Sequence, residues 1–197
     1  MDHFEYVMVL ISIIVGLGIA HLLTGVGGII DRRAGKRPEL HLSVPHGAWI
    51  AFTFTWLVQF WWWEYRFSEL NPEWTIDLYF FLVTYAVTLF LMAVILVPKS
   101  WDGIENLDDY FLERRGWFYS VMLGMTGLDV IDSYLKGGWG YIADGLGPWT
   151  WSFWALLVLV CLIGIRSKDL RFHLAASVTL FLWQQIQAVA EFSILGI

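Results

Sequence analysis

Between Tyr6 and Ile30 the chain runs for 25 residues without an Asp, Glu, Lys or Arg. A helix rises about 1.5 Å per residue, so this stretch reaches across a hydrocarbon core about 30 Å thick with some tilt to spare. A chain that opens in this way is expected to cross a membrane. The leader Met1 to Glu5 is acidic where a cleaved signal would be basic, and the apolar run is too long for one, so the span is expected to remain in the mature protein. Within it Gly16, Ala20, Thr24 and Gly28 recur every four residues, a ridge of small side chains on which another helix is expected to pack. A second ridge, Gly18, His21, Gly25 and Gly28, sets the one ionisable group of the span among glycines and away from lipid. The span is therefore expected at the centre of a bundle.

Composition extends this reading to the whole chain. Apolar residues make up 58% and charged residues 15%, against roughly 25% charged in soluble domains. Thirteen Trp, eight Tyr and fourteen Phe suit a molecule with two lipid–water interfaces, where amphipathic rings settle. A net charge of −6 argues against nucleic acid as a partner. The single Cys161 falls in an expected span and can form no internal disulfide.

Five further spans follow, at about Pro45 to Phe67, Trp74 to Val97, Gly116 to Leu135, Trp149 to Ile165 and Phe172 to residue 194. The links carry turn and charge signals: Asp31 to Pro38 with four cations, Asn71-Pro72, and the acidic stretch Ser100 to Arg115 with a short interfacial helix from Ile104. Lys136-Gly137-Gly138-Trp139-Gly140, continuing to Gly147-Pro148, reads as an external glycine-rich turn. In this arrangement ten of the twelve Lys and Arg residues fall in the loops of one side, and only Arg66 and Lys136 on the other. The positive-inside rule then places both termini outside and three loops in the cytoplasm. The expected fold is an all-α integral membrane protein, one domain over residues 1–197. Its six spans form three hairpins closed on the cytoplasmic side, in a bacterial inner membrane, with the lipid bilayer and a homo-oligomer or membrane-complex subunit as partners.

Polar groups inside such spans cost a few kcal/mol each by insertion scales, so they are expected to have partners or to line water. On the sixth span His173, Ser177, Gln184, Gln187 and Glu191 form one stripe along the helix. It lines a path for protons, a cation or a small polar solute, or else it knits helices together by hydrogen bonds. On the fourth span Asp129 and Asp132 share a face at i, i+3, about 20 and 24 Å from Gly116 at 1.5 Å per residue. Glu64 and Glu191 fall at comparable depth, with Arg66 and Lys136 nearby. These groups form either a proton or cation site or ordinary ion pairs at a wet interface. For Glu64 with Arg66 the ion pair is the simpler account, and for Asp129 the functional one.

The histidines gather toward the cytoplasmic side, where His21 or His173 could relay protons. His21 could also be an axial ligand of haem, although no metal-binding or haem-attachment spacing occurs. No cofactor is predicted beyond that option. Gly16-Leu17-Gly18 follows no strand, no serine sits in a nucleophile elbow, and nothing supplies a nucleophile and base pair, so the chain reads as a non-enzyme. Trp61-Trp62-Trp63 reads as an interfacial belt rather than a ligand cage. Three functions follow: a path for protons, a small cation or a polar solute through spans four and six, a non-catalytic accessory or assembly subunit, or a haem-binding electron carrier.

Overall fold

A computed structural model describes residues 3–35, 40–67, 74–145 and 148–192. Apart from an isolated bridge between His41 and Asn106, regular structure among these residues is helical. The elements are α1 (His3–Ala34), α2 (Val44–Glu64), α3 (Ile76–Leu96), α4 (Leu107–Gly140), a π-helical turn (Tyr141–Gly145), α5 (Pro148–Gly164) and α6 (Leu170–Phe192). The Asn71-Pro72 turn and the basic residues Lys36 and Arg37 lie outside the described residues, as does the side chain of Glu191 on the last turn of α6.

Helix starts follow local chemistry. Ser43 accepts from the His46 amide ahead of α2, where Pro45 occupies the first turn. Thr75 accepts from Leu78 N–H to begin α3. Asn106 accepts from Asp108 N–H to begin α4, whose first turn carries Asp108 and Asp109 at the positive end of the helix dipole. At the other end of α3 the backbone turns extended at Val97, ahead of Pro98. There two orphan carbonyls accept from histidines on different helices: Leu96 from His46 Nε2 at 2.6 Å, and Val97 from His21 Nε2 at 3.2 Å.

α1 and α3 are each long and apolar enough to cross a membrane. Large apolar side chains also face outward on every helix, including Ile13, Val58, Phe80, Trp117, Leu162 and Ile186.

The packing departs from the expected order of neighbours. α1 lies chiefly on α3 and less on α2, so it sits at the edge, and α2 takes the centre, touching α1, α3, α4 and α6. Size explains the exchange. α2 presents Trp49, Phe52, Leu57 and Phe60 in several directions, all nearly or fully buried, and large apolar side chains gain most from burial. The expected α1–α2 hairpin is thus weaker than the α1–α3 contact, while α3 with α4 packs as foreseen.

The glycines of α1 divide likewise. A Cβ added at Gly25 would overlap Val97, one at Gly28 would overlap Trp101, and one at Gly18 would lie 3.2 Å from Leu57. That ridge, with His21, meets α2, α3 and the segment after α3. The ridge of Gly16, Ala20 and Thr24 is exposed instead, and nothing lies within 4 Å of a Cβ at Gly16.

Two expectations around the fourth span are also corrected. Helix begins at Leu107, so the supposed interfacial helix and the span are one 34-residue element. The glycine-rich turn is helical up to a break at Gly137 and Gly138, where Gly138 has φ 67° and ψ −163°, a combination essentially confined to glycine. Lys136 therefore ends a buried helical face rather than an external loop.

At the opposite end the connections are tied together. His41 N–H donates to Glu105 O at 2.8 Å, Leu107 N–H donates to His41 O at 3.0 Å, and the His41 ring meets Asp108 at 3.1 Å.

Candidate functional site

Asp129, Asp132, Ser133 and Lys136 fall at spacings of 3, 1 and 3, one face of α4. That face meets α2, α3, α5 and α6 around a cavity of about 60 Å³, near the end of the bundle where α2 stops and α5 starts. A cavity of that volume holds a few waters, at about 10–15 Å³ for each.

The charged groups are the core of the site. Lys136 Nζ donates to Asp132 one helical turn earlier and reaches Glu64 Oε1, the last residue of α2, at 3.5 Å. It also stands 4.9 Å from the centre of the Phe67 ring. The side chains of Lys136, Glu64 and Asp132 are 5%, 1% and 4% exposed, so this is a buried trio and not a pair at a wet interface. Arg66 is engaged elsewhere, donating to the Tyr141 hydroxyl at 2.7 Å and lying over the Trp63 ring. Glu64 and Asp132 also hydrogen-bond each other through their carboxyl groups, which two carboxyls do only when one of them carries a proton.

Asp129 is held from two helices. Tyr85 on α3 donates its hydroxyl at 2.6 Å, and Trp154 on α5 donates Nε1 at 2.5 Å. Charge-assisted bonds of this kind are the strong ones.

Stability alone gives little reason for this arrangement. Replacing a buried ionic cluster by apolar residues of similar volume is often neutral or stabilising by about 1–4 kcal/mol, whereas removing one member costs about 3–5 kcal/mol.

The described members of the α6 stripe, His173, Ser177, Gln184 and Gln187, are buried or half-buried and have partners. Gln184 Oε1 accepts from Thr55 on α2 at 3.0 Å, and Gln187 Nε2 donates to Thr150 on α5 at 3.0 Å, and both glutamines line the cavity. Gln185 Oε1 accepts from Gln59 at 3.1 Å. Ser177 donates to Leu174 O within its own helix. The stripe thus knits α6 to α2 and α5 and also presents two amides to the cavity.

His173 lies apart from that cavity, fully buried against Phe111 and Tyr119. Its Nε2 faces Ser167 O at 3.1 Å and its Nδ1 faces the Tyr119 hydroxyl at 2.7 Å. A carbonyl only accepts, so Nε2 carries the proton and Nδ1 of the neutral ring accepts from Tyr119. Both ring nitrogens are thereby occupied. Leu180, Met122, Trp49 and Cys161 are each fully buried. His21 and His46 cap adjacent carbonyls of α3, and among the described residues no three His, Cys, Asp or Glu side chains are grouped to hold a metal.

The structure therefore brings together Asp129, Asp132, Glu64, Gln184 and Gln187, and leaves His21 and His173 outside the site. Sequence reasoning missed Tyr85, Trp154, Tyr141 and Thr150 as lining groups. Each offers one polar atom on an aromatic ring or small side chain, which in a Trp- and Tyr-rich chain is indistinguishable from a belt residue. Lys136 was noticed only as a neighbour, because glycines follow it.

Comparison of the chain with known protein families, with curated proteins and with solved structures finds no match.

Proposed function

We propose that this chain is a six-span membrane protein that carries protons, a small cation or a small polar solute, with the Asp129, Asp132, Glu64 and Lys136 cluster as its exchange site between spans four and six. The observation that carries the reading is the buried trio of Lys136, Glu64 and Asp132 inside the helical bundle, with Lys136 and Asp132 lining a cavity that has room for water. Ionisable groups inside membrane spans mark ion and proton pathways more often than they serve stability. The outward-facing apolar side chains on all six helices support six spans, and the bias of Lys and Arg to one set of loops supports both termini outside. In this orientation the cavity belongs to the outer half. In this reading Leu180, Met122 and Trp49, each fully buried, form a layer that closes the path toward the cytoplasm. Passage then needs movement of α6 against α2 and α4, with His173 below the layer as the next polar group inward.

A second reading, a non-catalytic assembly subunit, draws on the exposed Gly16, Ala20 and Thr24 ridge of α1, which nothing among the described residues covers. The wild-type protein in liposomes separates the two. Proton or monovalent-cation flux above that of protein-free vesicles is expected for the path. No flux under any imposed gradient, with a stoichiometric partner retained in mild detergent, would replace it by the assembly role.

A further inference from the structure

At the end of the bundle where α1 and α3 both stop, far in sequence from the α4 carboxylates, lies a groove of about 620 Å³. α1 lines it with His21, Thr24, Gly27 and Asp31, and the segment after α3 with Lys99 and Trp101. The two walls are fastened to each other. Arg32 donates to Trp101 O, and His21 donates to Val97 O at 3.2 Å. The Trp101 indole lies so close to Gly28 that a Cβ there would overlap Nε1.

Each wall carries one charge, and the two are of opposite sign. Asp31 and Lys99 are both exposed and are not joined as an ion pair. Arg32 is engaged with the Trp101 carbonyl and does not line the groove. The Trp101 indole N–H takes no partner among the described residues. A simple anion would be drawn to Lys99 and the indole but repelled by Asp31, and a simple cation would meet the reverse. A zwitterion with a short spacer between its charges suits both walls at once. The groove also runs on along the membrane-facing side of α1. Gly16, Ala20, Thr24 and Gly27 follow at spacings of 4, 4 and 3, and nothing lies within 4 Å of a Cβ at Gly16 or Gly27. Small residues of this kind let a neighbouring chain approach the backbone closely.

Resting on the membrane placement above and not on ion passage, we propose that this groove holds one phosphatidylethanolamine molecule. Its phosphate meets Lys99 and the Trp101 N–H, its ammonium meets Asp31, and one acyl chain follows the small residues of α1. The level fits, because both helices end there in polar residues and an indole settles among headgroups. Basic pockets between spans on the cytoplasmic side bind lipid headgroups, and Asp31 turns this one from an anionic lipid to a zwitterionic one. Phosphatidylglycerol has no cation for Asp31, and the trimethylammonium of phosphatidylcholine has no N–H to donate.

Native mass spectrometry of the purified full-length protein, with equal concentrations of the three lipids added in detergent, tests the assignment. One phosphatidylethanolamine per chain is expected, preferred at least tenfold over either competitor, about 1.4 kcal/mol. Gly27→Leu adds a side chain that meets open space in the fold but fills the groove, and it should weaken retention at least tenfold, as should Lys99→Ala. Asp31→Asn should keep a lipid and lose the preference over phosphatidylglycerol. Lys168→Ala, in the link between α5 and α6, should change nothing. Equal retention of the three lipids by wild type, unchanged preference in Asp31→Asn, or retention undiminished in folded Gly27→Leu and Lys99→Ala would each overturn the assignment. So would a loss in Lys168→Ala as large as in Lys99→Ala, or a protein subunit retained on α1 in place of lipid. Selective retention without flux under any gradient supports the lipid site while removing the path, and flux without selective retention does the opposite.

Discussion

Lys136 is the residue on which the site's stability turns. Its ammonium is the only cation in contact with both Asp132 and Glu64 among the described residues, so Lys136→Met should lower stability by about 3–5 kcal/mol, the cost of leaving buried charge uncompensated. Reversible unfolding in mixed micelles measures it. Adding Glu64→Gln and Asp132→Asn to that variant should recover most of the loss, because the uncompensated charges are then gone. A Lys136→Met protein as stable as wild type would mean the trio is not buried as described. Asp129 makes a separate prediction. Tyr85→Phe and Trp154→Phe each remove one bond to its carboxylate and should each cost about 1.5–3 kcal/mol. In a double-mutant cycle the two effects should be coupled, since both bonds end on one group. Strict additivity would count against a shared acceptor. These residues also show what was readable in advance. The i, i+3 spacing of Asp129 and Asp132 put both on one helical face. Nothing in the sequence marked Tyr85 or Trp154 as their partners, because the match depends on the rotation of α3 and α5 against α4.

The glycines test the packing of individual helices. Gly25 faces Val97 with no room for a side chain, whereas Gly16 faces open space. Gly25→Leu should therefore weaken the α1–α3 contact by at least about 1–3 kcal/mol, the usual cost of overpacking, and Gly16→Leu should stay within about 0.5 kcal/mol. Thermal melts of both variants in the same detergent give the comparison, and equal effects would contradict the edge position of α1. At the end of α4, Gly138→Ala places a side chain at φ 67° and ψ −163°, costing about 1–3 kcal/mol. It should also displace Tyr141 from Arg66, because the break sets the direction of the turn that follows. The helices were legible in the sequence from their apolar runs, while the caps at Ser43, Thr75 and Asn106 came only with the structure. The neighbour order was not, because two ridges of α1 carry glycine at similar spacing and only the bulk of the facing helix decides which one packs. Gly137 and Gly138 misled for a related reason: glycine signals a break in the helix, but not that a buried Lys136 immediately precedes it.

The whole molecule is an all-helical bundle with outward apolar faces around a cavity lined by polar and aromatic side chains. Five helices contribute to that cavity while α1 stands outside it. α1 can then serve as an anchor or contact surface without disturbing the site, which is why its exposed ridge is compatible with either proposed role. The bundle as a class followed from composition and span length, while the enclosed cavity followed only from side chains of helices distant in sequence. The central claim is that the α4 carboxylates serve ion passage. Its most direct test is proton and monovalent-cation flux in liposomes for wild type, Asp129→Asn and Glu191→Gln, each confirmed as folded before reconstitution. Measurable wild-type flux is predicted, abolished or reduced at least tenfold by Asp129→Asn, about 1.4 kcal/mol at the barrier, and reduced less by Glu191→Gln. Flux in folded Asp129→Asn equal to that of wild type would contradict it.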